Sequence, residues 1–149
     1  ARTVKKAGRI HEDLVTATGV LENGVVTNHL VNWLTPYKER LVVATGERGV
    51  FVADTITADL THFANGSVPV EWDKISGFRG VSEGDVTRFA IAKPEPLKVQ
   101  LEGFRDAVLK KAGQIVTMRE GMQAVAAADA AIESAKCGET VQLSSLGAS

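Results

Sequence analysis

The sequence predicts an α+β domain: an open, mainly antiparallel sheet of about six strands, with two C-terminal helices on one face. Val, Thr and Ile recur between residues 2 and 64, and turn residues separate them at short intervals. Apolar residues at helical spacing occur later, after residue 95. Because short turns pair successive strands antiparallel, the sheet comes first along the chain and the helices last.

Six strands follow from this pattern. The turns Glu22-Asn23-Gly24 and Gly46-Glu47-Arg48-Gly49 supply the positive-φ residues that hairpins need. The predicted strands are residues 3–10, 13–21, 25–34, 39–45, 49 to about 60, and 85–92. Between the fifth and the sixth, residues 65–84 contain repeated glycines and three apolar anchors, which predicts a packed loop.

Two helices close the chain. The first begins near Pro96, a residue tolerated in a first helical turn, and ends at Lys110, Lys111 and Gly113. Its apolar face consists of Leu97, Leu101, Phe104 and Val108. The second begins with the capping-box pattern Thr117-Met118-Arg119-Glu120 and runs to Gly138. Its alanines, between residues 124 and 135, allow a close approach to the sheet.

Composition excludes several classes of protein. The 149 residues are 44% hydrophobic, and 17 basic against 18 acidic residues leave a net charge of −1, which argues against a nucleic-acid binder. No apolar run reaches the roughly 20 residues that span a membrane. One cysteine, Cys137, excludes an intrachain disulfide, and three histidines make an all-protein zinc site unfavourable. We expect one soluble, cytoplasmic domain without nucleic-acid or membrane partners.

The strand at residues 25–34 is apolar on both sides. Val25, Val31 and Trp33 lie on one face. Val26, Leu30 and Leu34 lie on the other. Such a strand needs both faces covered, yet two helices cover one face of a sheet. We therefore expect a homo-oligomer in which the free face packs on a second subunit, most simply about a two-fold axis.

Most motifs in the chain are structural. Gly46-Glu47-Arg48-Gly49 has the G-x-x-G form of a nucleic-acid-binding loop, but between two strands it indicates a hairpin turn. His11-Glu12-Asp13 predicts an exposed polar turn. His29, His62 and Cys137 are interpreted as structural residues or bystanders. No glycine-rich phosphate loop occurs, so no cofactor-binding residue is predicted in this chain. No catalytic or metal-binding residue is predicted either.

The strongest candidate for a binding site is the stretch from residue 32 to residue 40. Amide, indole, phenol, ammonium and guanidinium groups gather there at a strand end and turn, where a polar or anionic ligand could bind. The predicted substrate-binding residues are Asn32, Trp33, Tyr37, Lys38 and Arg40. The alternative is a solvated hairpin whose tryptophan packs in a subunit interface.

Five segments of the chain resemble the C-terminal domain of the Gfo/Idh/MocA oxidoreductases. They are the stretch 32–40 and residues 20–26, 43–49, 95–104, which begin Glu95-Pro96-Leu97 and end at Phe104, and 116–125. The resemblance covers essentially the whole chain. The patterns N-W-L-x-P-x-K-x-R and E-P-L-x-x-x-L-x-x-F are similar to members that oxidise UDP-N-acetylglucosamine-type sugars at C3.

The resemblance implies an N-terminal Rossmann domain that binds NAD or NADP, and a C-terminal domain that builds the oligomer and closes over a sugar or cyclitol. It also implies a lysine in an E-K-P motif and a histidine that assist hydride transfer. Lys93-Pro94 lies in the wrong context for that motif, and His11 does not match that histidine. We therefore expect this chain, which opens at Ala1, to lack the Rossmann domain and to be inactive alone. The alternative is a ligand-binding or protein-interaction module without redox activity.

Overall fold

The computed structural model describes residues 1–6, 8–66, 83–111 and 115–143. They form two compact units, Ala1–Pro36 with Gln100–Ser149, and Tyr37–Val99, which we call the first and the second unit. The elements of the described residues are β1 (Arg2–Val4), β2 (Leu14–Val20), β3 (Val26–Asn32), β4 (Leu41–Gly46), β5 (Gly49–Asp54), β6 (Asp59–Asn65), β7 (Glu83–Phe89), α1 (Pro96–Val108) and α2 (Met118–Cys137).

The first unit contains a three-stranded antiparallel sheet in the order β1-β2-β3. Val15 lies between Thr3 and Val31 in the register. The hairpin between β2 and β3 closes at Gly24, whose φ of 82° suits a residue without a side chain. The predicted strands at 13–21 and 25–34 are thus confirmed, each within two residues at either end.

Helix α2 packs against β1 and β2 on one face of this sheet. The β2 residues Val15, Ala17 and Gly19 are half-buried, whereas Thr16, Thr18 and Val20 are exposed. On the helix, the half-buried residues include the small Ala126 and Ala130. Small side chains on both elements let the helix lie close to the strands, as the alanine-rich sequence predicts.

The opposite face of the three-stranded sheet has no covering element among the described residues of the first unit. Its pleat places Val4, Val20, Val26 and Leu30 on this face, and all four are exposed. Leu30 is 73% exposed. We call these four residues the open face. The sheet is therefore covered on one side and carries four exposed apolar side chains on the other.

The second unit contains a four-stranded antiparallel meander in the order β4-β5-β6-β7. The hairpin between β4 and β5 depends on Gly49, whose φ is 146°. A Cβ atom at that position would lie 2.3 Å from the carbonyl oxygen of Phe63 and 2.8 Å from Nε2 of His62. Glycine is therefore required there by both backbone conformation and space.

The second helix begins and ends as the sequence predicts. The backbone N–H of Glu120 donates to Oγ1 of Thr117 at 3.3 Å, and the N–H of Thr117 donates to the Glu120 carboxylate at 2.7 Å. Gly138 ends the helix in the left-handed conformation, with φ 78°. The capping box is thus confirmed. Neither described helix is long and apolar enough to cross a membrane.

Three expectations differ from the structure. The single six-stranded sheet with both helices on one face is not confirmed, because the described strands form two sheets and α1 packs against no strand of the first unit. The predicted strand at 49–60 is β5, a turn and the start of β6. There Asp54 accepts hydrogen bonds from the N–H groups of Ile56 and Thr57, and Ala58 adopts φ 55°.

The third difference is at the first strand. Residues 3–10 were predicted to be extended, but β1 ends at Val4, and the N–H of Lys6 donates to the Asp13 carboxylate instead of to a strand. Of the packed loop predicted at 65–84, residues 67–82 lie outside the described residues. Glu83 and Gly84 belong to β7. The predicted sixth strand at 85–92 is confirmed as β7, which begins and ends earlier.

Candidate functional site

The first candidate residues lie where β3 ends. Oδ1 of Asn32 accepts a hydrogen bond from the N–H of Leu34 at 2.8 Å and closes a turn. The N–H of Trp33 donates to the carbonyl oxygen of Asp13 at 2.8 Å, which extends the β2–β3 pairing by one residue. The Trp33 side chain is 77% exposed. Asn32 thus shapes the turn, and the indole is presented outward from a fixed backbone.

Asp13 is the buried group behind this strand end. It is 2% exposed, and no other described residue is buried. Its Oδ2 accepts the N–H of Lys6 at 2.9 Å, and its Oδ1 accepts a charge-assisted hydrogen bond from the Arg9 guanidinium. Its own N–H donates to the carbonyl of Val4 at 2.9 Å. Asp13 therefore joins Lys6 and Arg9 to the ends of β1 and β3.

The remaining candidates begin the second unit. Tyr37, Lys38 and Arg40 precede β4, and all three side chains are exposed. The carbonyl oxygen of Arg40 accepts hydrogen bonds from the N–H and Oγ1 of Thr55, at 2.9 and 3.2 Å. This pair of bonds fixes the backbone of Arg40 to the turn between β5 and β6. The five predicted site residues are therefore close together in the sequence but divided between the two units. Asn32 and Trp33 belong to the first unit, and Tyr37, Lys38 and Arg40 belong to the second.

The interpretation of His11-Glu12-Asp13 as an exposed polar turn is wrong for its last residue. His11 is exposed and Glu12 half-buried, but Asp13 is buried. Burial is tolerated because every oxygen of the carboxylate has a donor. One feature of the sequence could have indicated this buried aspartate. The basic residue Arg9 lies four positions before an acidic residue at the start of a strand.

An ionic cluster stands at one end of the second unit's sheet. Asp59 accepts from Lys93 at 2.7 Å, from Thr57 Oγ1 at 2.8 Å and from Arg88 at 2.9 Å. These donors, Lys93 first, lower the pKa of Asp59 far below its usual range. The carboxylate therefore stays ionised at neutral pH and serves to join β6, β7 and the segment before α1. It is unsuited to donating a proton.

The described helix N-termini do not fit a dinucleotide. In the Rossmann arrangement, a pyrophosphate lies on free N–H groups at the start of a helix. At α1 the N–H of Lys98 donates to Glu95, and at α2 the capping box brings the Glu120 carboxylate to the same place. The N–H of Thr117, followed by its hydroxyl, lowers the pKa of Glu120. Two carboxylates therefore hold the positions that a phosphate would need.

Other reactive side chains do not assemble into a centre. His62 stacks on Phe51 with ring centroids 4.4 Å apart, and Cys137 is exposed at the end of α2. Across the part of the chain that the structure describes, no group of three or more His, Cys, Asp or Glu residues could hold a metal ion. What the described residues offer is a sequence segment, residues 32–40, with exposed polar and aromatic side chains.

Comparison with known families identifies the type of domain. Residues 1–143 match the family model described as "Oxidoreductase family, C-terminal alpha/beta domain", named for Gfo, Idh and MocA. Neither the search of curated proteins nor the search of solved structures gave a match. The matched range includes both described sheets and both helices. The chain therefore belongs to the Gfo/Idh/MocA oxidoreductase family, as its C-terminal α/β domain.

Proposed function

We propose that this chain is the substrate-binding and oligomerisation domain of an NAD(P)-dependent oxidoreductase that acts on a sugar, a nucleotide sugar or a cyclitol. The observation that carries the proposal is the match of residues 1–143 to the C-terminal domain of an oxidoreductase family. The exposed polar residues at 32–40 and the open face of the first sheet support the two roles separately.

The redox step depends on a dinucleotide that the described residues do not fit. NAD or NADP accepts a hydride from a substrate carbon when it is bound in such an enzyme. Both described helix starts are occupied by Glu95 and Glu120, so we place the dinucleotide on a Rossmann domain elsewhere in the enzyme. This chain would then contribute substrate contacts and no catalytic residue.

Substrate binding is assigned to Trp33, Tyr37, Lys38 and Arg40, with Asn32 shaping the turn. An exposed indole or phenol can cover the apolar face of a sugar ring, and a lysine or arginine can bind hydroxyl or anionic groups. Within this role, the N-W-L-T-P-Y-K-E-R segment supports a UDP-N-acetylglucosamine-type substrate as the narrower proposal.

Oligomerisation is assigned to the open face. Val4, Val20, Val26 and Leu30 are exposed on a sheet whose other side is covered by α2. Exposed apolar residues on an uncovered sheet face are typical of interfaces, and a two-fold axis lets the same face serve both subunits.

A binding experiment tests whether the dinucleotide binds to this chain or to another part of the full-length enzyme. NAD and NADP are titrated into this chain and into the full-length enzyme that contains it, and binding is followed by calorimetry. We expect binding to the full-length enzyme alone. If no protein containing this chain bound a dinucleotide, the redox function would be wrong, and a ligand-binding module without redox activity would replace it.

A second experiment tests the site. In the full-length enzyme, Lys38→Ala should raise KM for the sugar about ten-fold while the oligomeric state is unchanged. The exposed Lys110→Ala is the matched control and should leave KM at the wild-type value. An unchanged KM in Lys38→Ala would remove that lysine from the substrate site.

A further inference from the structure

We propose that Asn23 is a site of covalent modification, at which the backbone nitrogen of Gly24 attacks the side-chain amide and converts Asn23 to aspartate or isoaspartate. The only co-reactant is water. The chain contains a second Asn-Gly pair, Asn65-Gly66, which lacks the same geometry and should be stable. The site is formed by the β2–β3 hairpin alone and is therefore independent of the oxidoreductase function.

Asn23 lies in the loop that closes the β2–β3 hairpin. The N–H of Gly24 donates to the carbonyl oxygen of Leu21, and the N–H of Leu21 donates to the carbonyl oxygen of Val25, both at 2.9 Å. Gly24 has φ 82°, as is typical after a turn of this kind. Asn23 and Gly24 are exposed, and nothing lies within 4 Å of the position that a Cβ atom on Gly24 would take. The reacting nitrogen is therefore unhindered and open to water.

The side chain of Asn23 is folded back onto the loop. Its Oδ1 accepts a hydrogen bond from the N–H of Val25 at 3.2 Å. A bond of this kind, from an asparagine to the residue two positions on, spans the peptide that contains the nitrogen of Gly24. It therefore brings Cγ of Asn23 near that nitrogen. The N–H of Val25 also stabilises the negative charge that develops on Oδ1 when Cγ is attacked.

The reaction replaces one bond at Cγ and then consumes one water. The nitrogen of Gly24 bonds to Cγ of Asn23, the bond between Cγ and Nδ2 breaks, and the proton of the Gly24 N–H leaves with Nδ2 as ammonia. Water opens the resulting cyclic imide at either carbonyl carbon, and nothing is oxidised or reduced. Either product places a carboxylate beside Glu22, and isoaspartate also lengthens the loop by one backbone atom.

Asn65 has the following glycine without the side-chain geometry. Its Nδ2 donates to the carbonyl oxygen of Glu47 at 2.7 Å, and its N–H donates to the carbonyl oxygen of Arg48 at 3.1 Å. Rotating the amide of Asn65 toward the nitrogen of Gly66 would break the bond to Glu47. The hydrogen bonds to the β4–β5 hairpin should therefore protect this asparagine.

Asn32 has the side-chain geometry without the following glycine. Its Oδ1 accepts the N–H of Leu34 at 2.8 Å, which is the same bond to the residue two positions on. The attacking nitrogen would have to come from Trp33, whose side chain hinders attack and whose N–H donates to Asp13 at 2.8 Å. Of these three asparagines, Asn23 alone combines both conditions.

Peptide mapping by mass spectrometry tests the site in the 149-residue chain after several days in neutral and in mildly alkaline buffer. Trypsin releases residues 10–38, which contain Asn23 and Asn32, and residues 49–74, which contain Asn65. Asn23 should gain about 1 Da as its amide is replaced by a carboxyl group. This gain should be at least about ten-fold faster than at Asn65 or Asn32. It should accelerate in the alkaline buffer, because the N–H of Gly24 must lose its proton.

The same measurement in urea separates the effect of the structure from that of the sequence. In the unfolded chain both Asn-Gly pairs lose their hydrogen bonds, so the rates at Asn23 and Asn65 should come within about three-fold of each other. The difference between the two sites should therefore depend on folding.

Variants test the role of the glycine. Gly24→Ala should slow the reaction at Asn23 at least about ten-fold, because the added methyl group hinders the nitrogen. Gly121→Ala is the matched control, since its added Cβ also meets nothing within 4 Å, and it should react like the wild type. Asn23→Gln should abolish the mass gain in residues 10–38. Circular dichroism verifies that each variant is folded.

Three results would overturn the proposal. The first is an equal rate at Asn23 and Asn65 in the folded chain. The second is a ratio of these rates that urea does not change, and the third is a reaction that is as fast in Gly24→Ala as in Gly121→Ala.

Discussion

The carbonyl oxygen of Asp13 accepts a hydrogen bond from the N–H of Trp33 at 2.8 Å, although nineteen residues lie between them along the chain. The carboxylate of the same aspartate binds the loop that follows β1. One buried acidic residue thus connects the end of β3, where the candidate site begins, to a basic loop. The consequence is that the position of an exposed tryptophan depends on a residue that is itself buried.

Replacing Asp13 tests this dependence. Asp13→Ala removes the acceptor for Lys6 and Arg9 and should lower the free energy of unfolding by about 2–3 kcal/mol. Asp13→Asn keeps an oxygen for the Lys6 N–H and should cost about half as much. Urea unfolding measures both variants. Equal stability of wild type and Asp13→Ala would contradict the role of Asp13 as the hub of the loop.

Gly49→Ala should destabilise the second unit by about 3 kcal/mol, because the new Cβ would collide with backbone at an unfavourable φ. Gly24→Ala is the matched control. Its φ is also positive, at 82°, but nothing lies within 4 Å of the added atom, so the expected loss is about 1 kcal/mol. Thermal unfolding compares the two, and a similar loss in both would show that crowding at Gly49 does not matter.

Removing the hydroxyl that caps α2 should loosen the start of that helix. Thr117→Ala loses the acceptor for the Glu120 N–H and should cost about 1 kcal/mol, together with part of the helical dichroism. Thr117→Ser retains the oxygen and should remain close to the wild type. A Thr117→Ser variant as unstable as Thr117→Ala would show that the methyl group, and not the cap, is responsible.

The ion cluster on Asp59 predicts a pH dependence of stability. Its pKa is lowered in the folded chain, so the stabilisation is fully present above the unfolded-state value of about 3.9 and is lost as the pH falls below it. The melting temperature should fall below about pH 4. Arg88→Gln and Lys93→Gln should each make that fall smaller, because the folded-state pKa of Asp59 moves back toward its unfolded value, and Asp59→Asn should flatten it. An acid profile that none of these variants alters would contradict the assignment.

A charge on the open face should prevent self-association. Leu30→Asp places a carboxylate in the centre of the proposed interface, where burial without a partner is costly. Light scattering should give an oligomer for the wild type and a monomer for the variant. Ile56→Asp changes an exposed apolar residue that lies in a turn outside the open face, and this variant should remain oligomeric. A wild-type chain that is monomeric at micromolar concentration would contradict the proposed interface.

The parts of the fold that the sequence predicts are those determined by local residue preferences. Strand positions follow from alternation and from Gly24 and Gly49, and the start of α2 follows from Thr117 and Glu120. The turn at residues 55–58 is not predicted from the sequence because Thr55, Ile56 and Thr57 are strand-forming residues. The Asp54 side chain overrides that preference by binding two backbone N–H groups.

Tertiary pairing is what the sequence does not reveal. Alternation of apolar and polar residues predicts a strand but not the strand that pairs with it. The sequence therefore does not distinguish two sheets, one before and one after Pro36 in the chain, from a single sheet. The candidate residues Trp33, Lys38 and Arg40 are recognisable by type alone. Asp13 is not, because its burial arises from contacts between the start of β2, the loop before it and the end of β3.

Turnover by the full-length enzyme tests the central claim most directly. The enzyme is incubated with NAD or NADP and with neutral sugars, cyclitols and nucleotide sugars, and formation of the reduced nicotinamide is followed by absorbance. The account predicts reduction with at least one of these substrates, and loss of it when residues 1–149 are deleted. No reduction with any of them by an enzyme that binds the dinucleotide would contradict it.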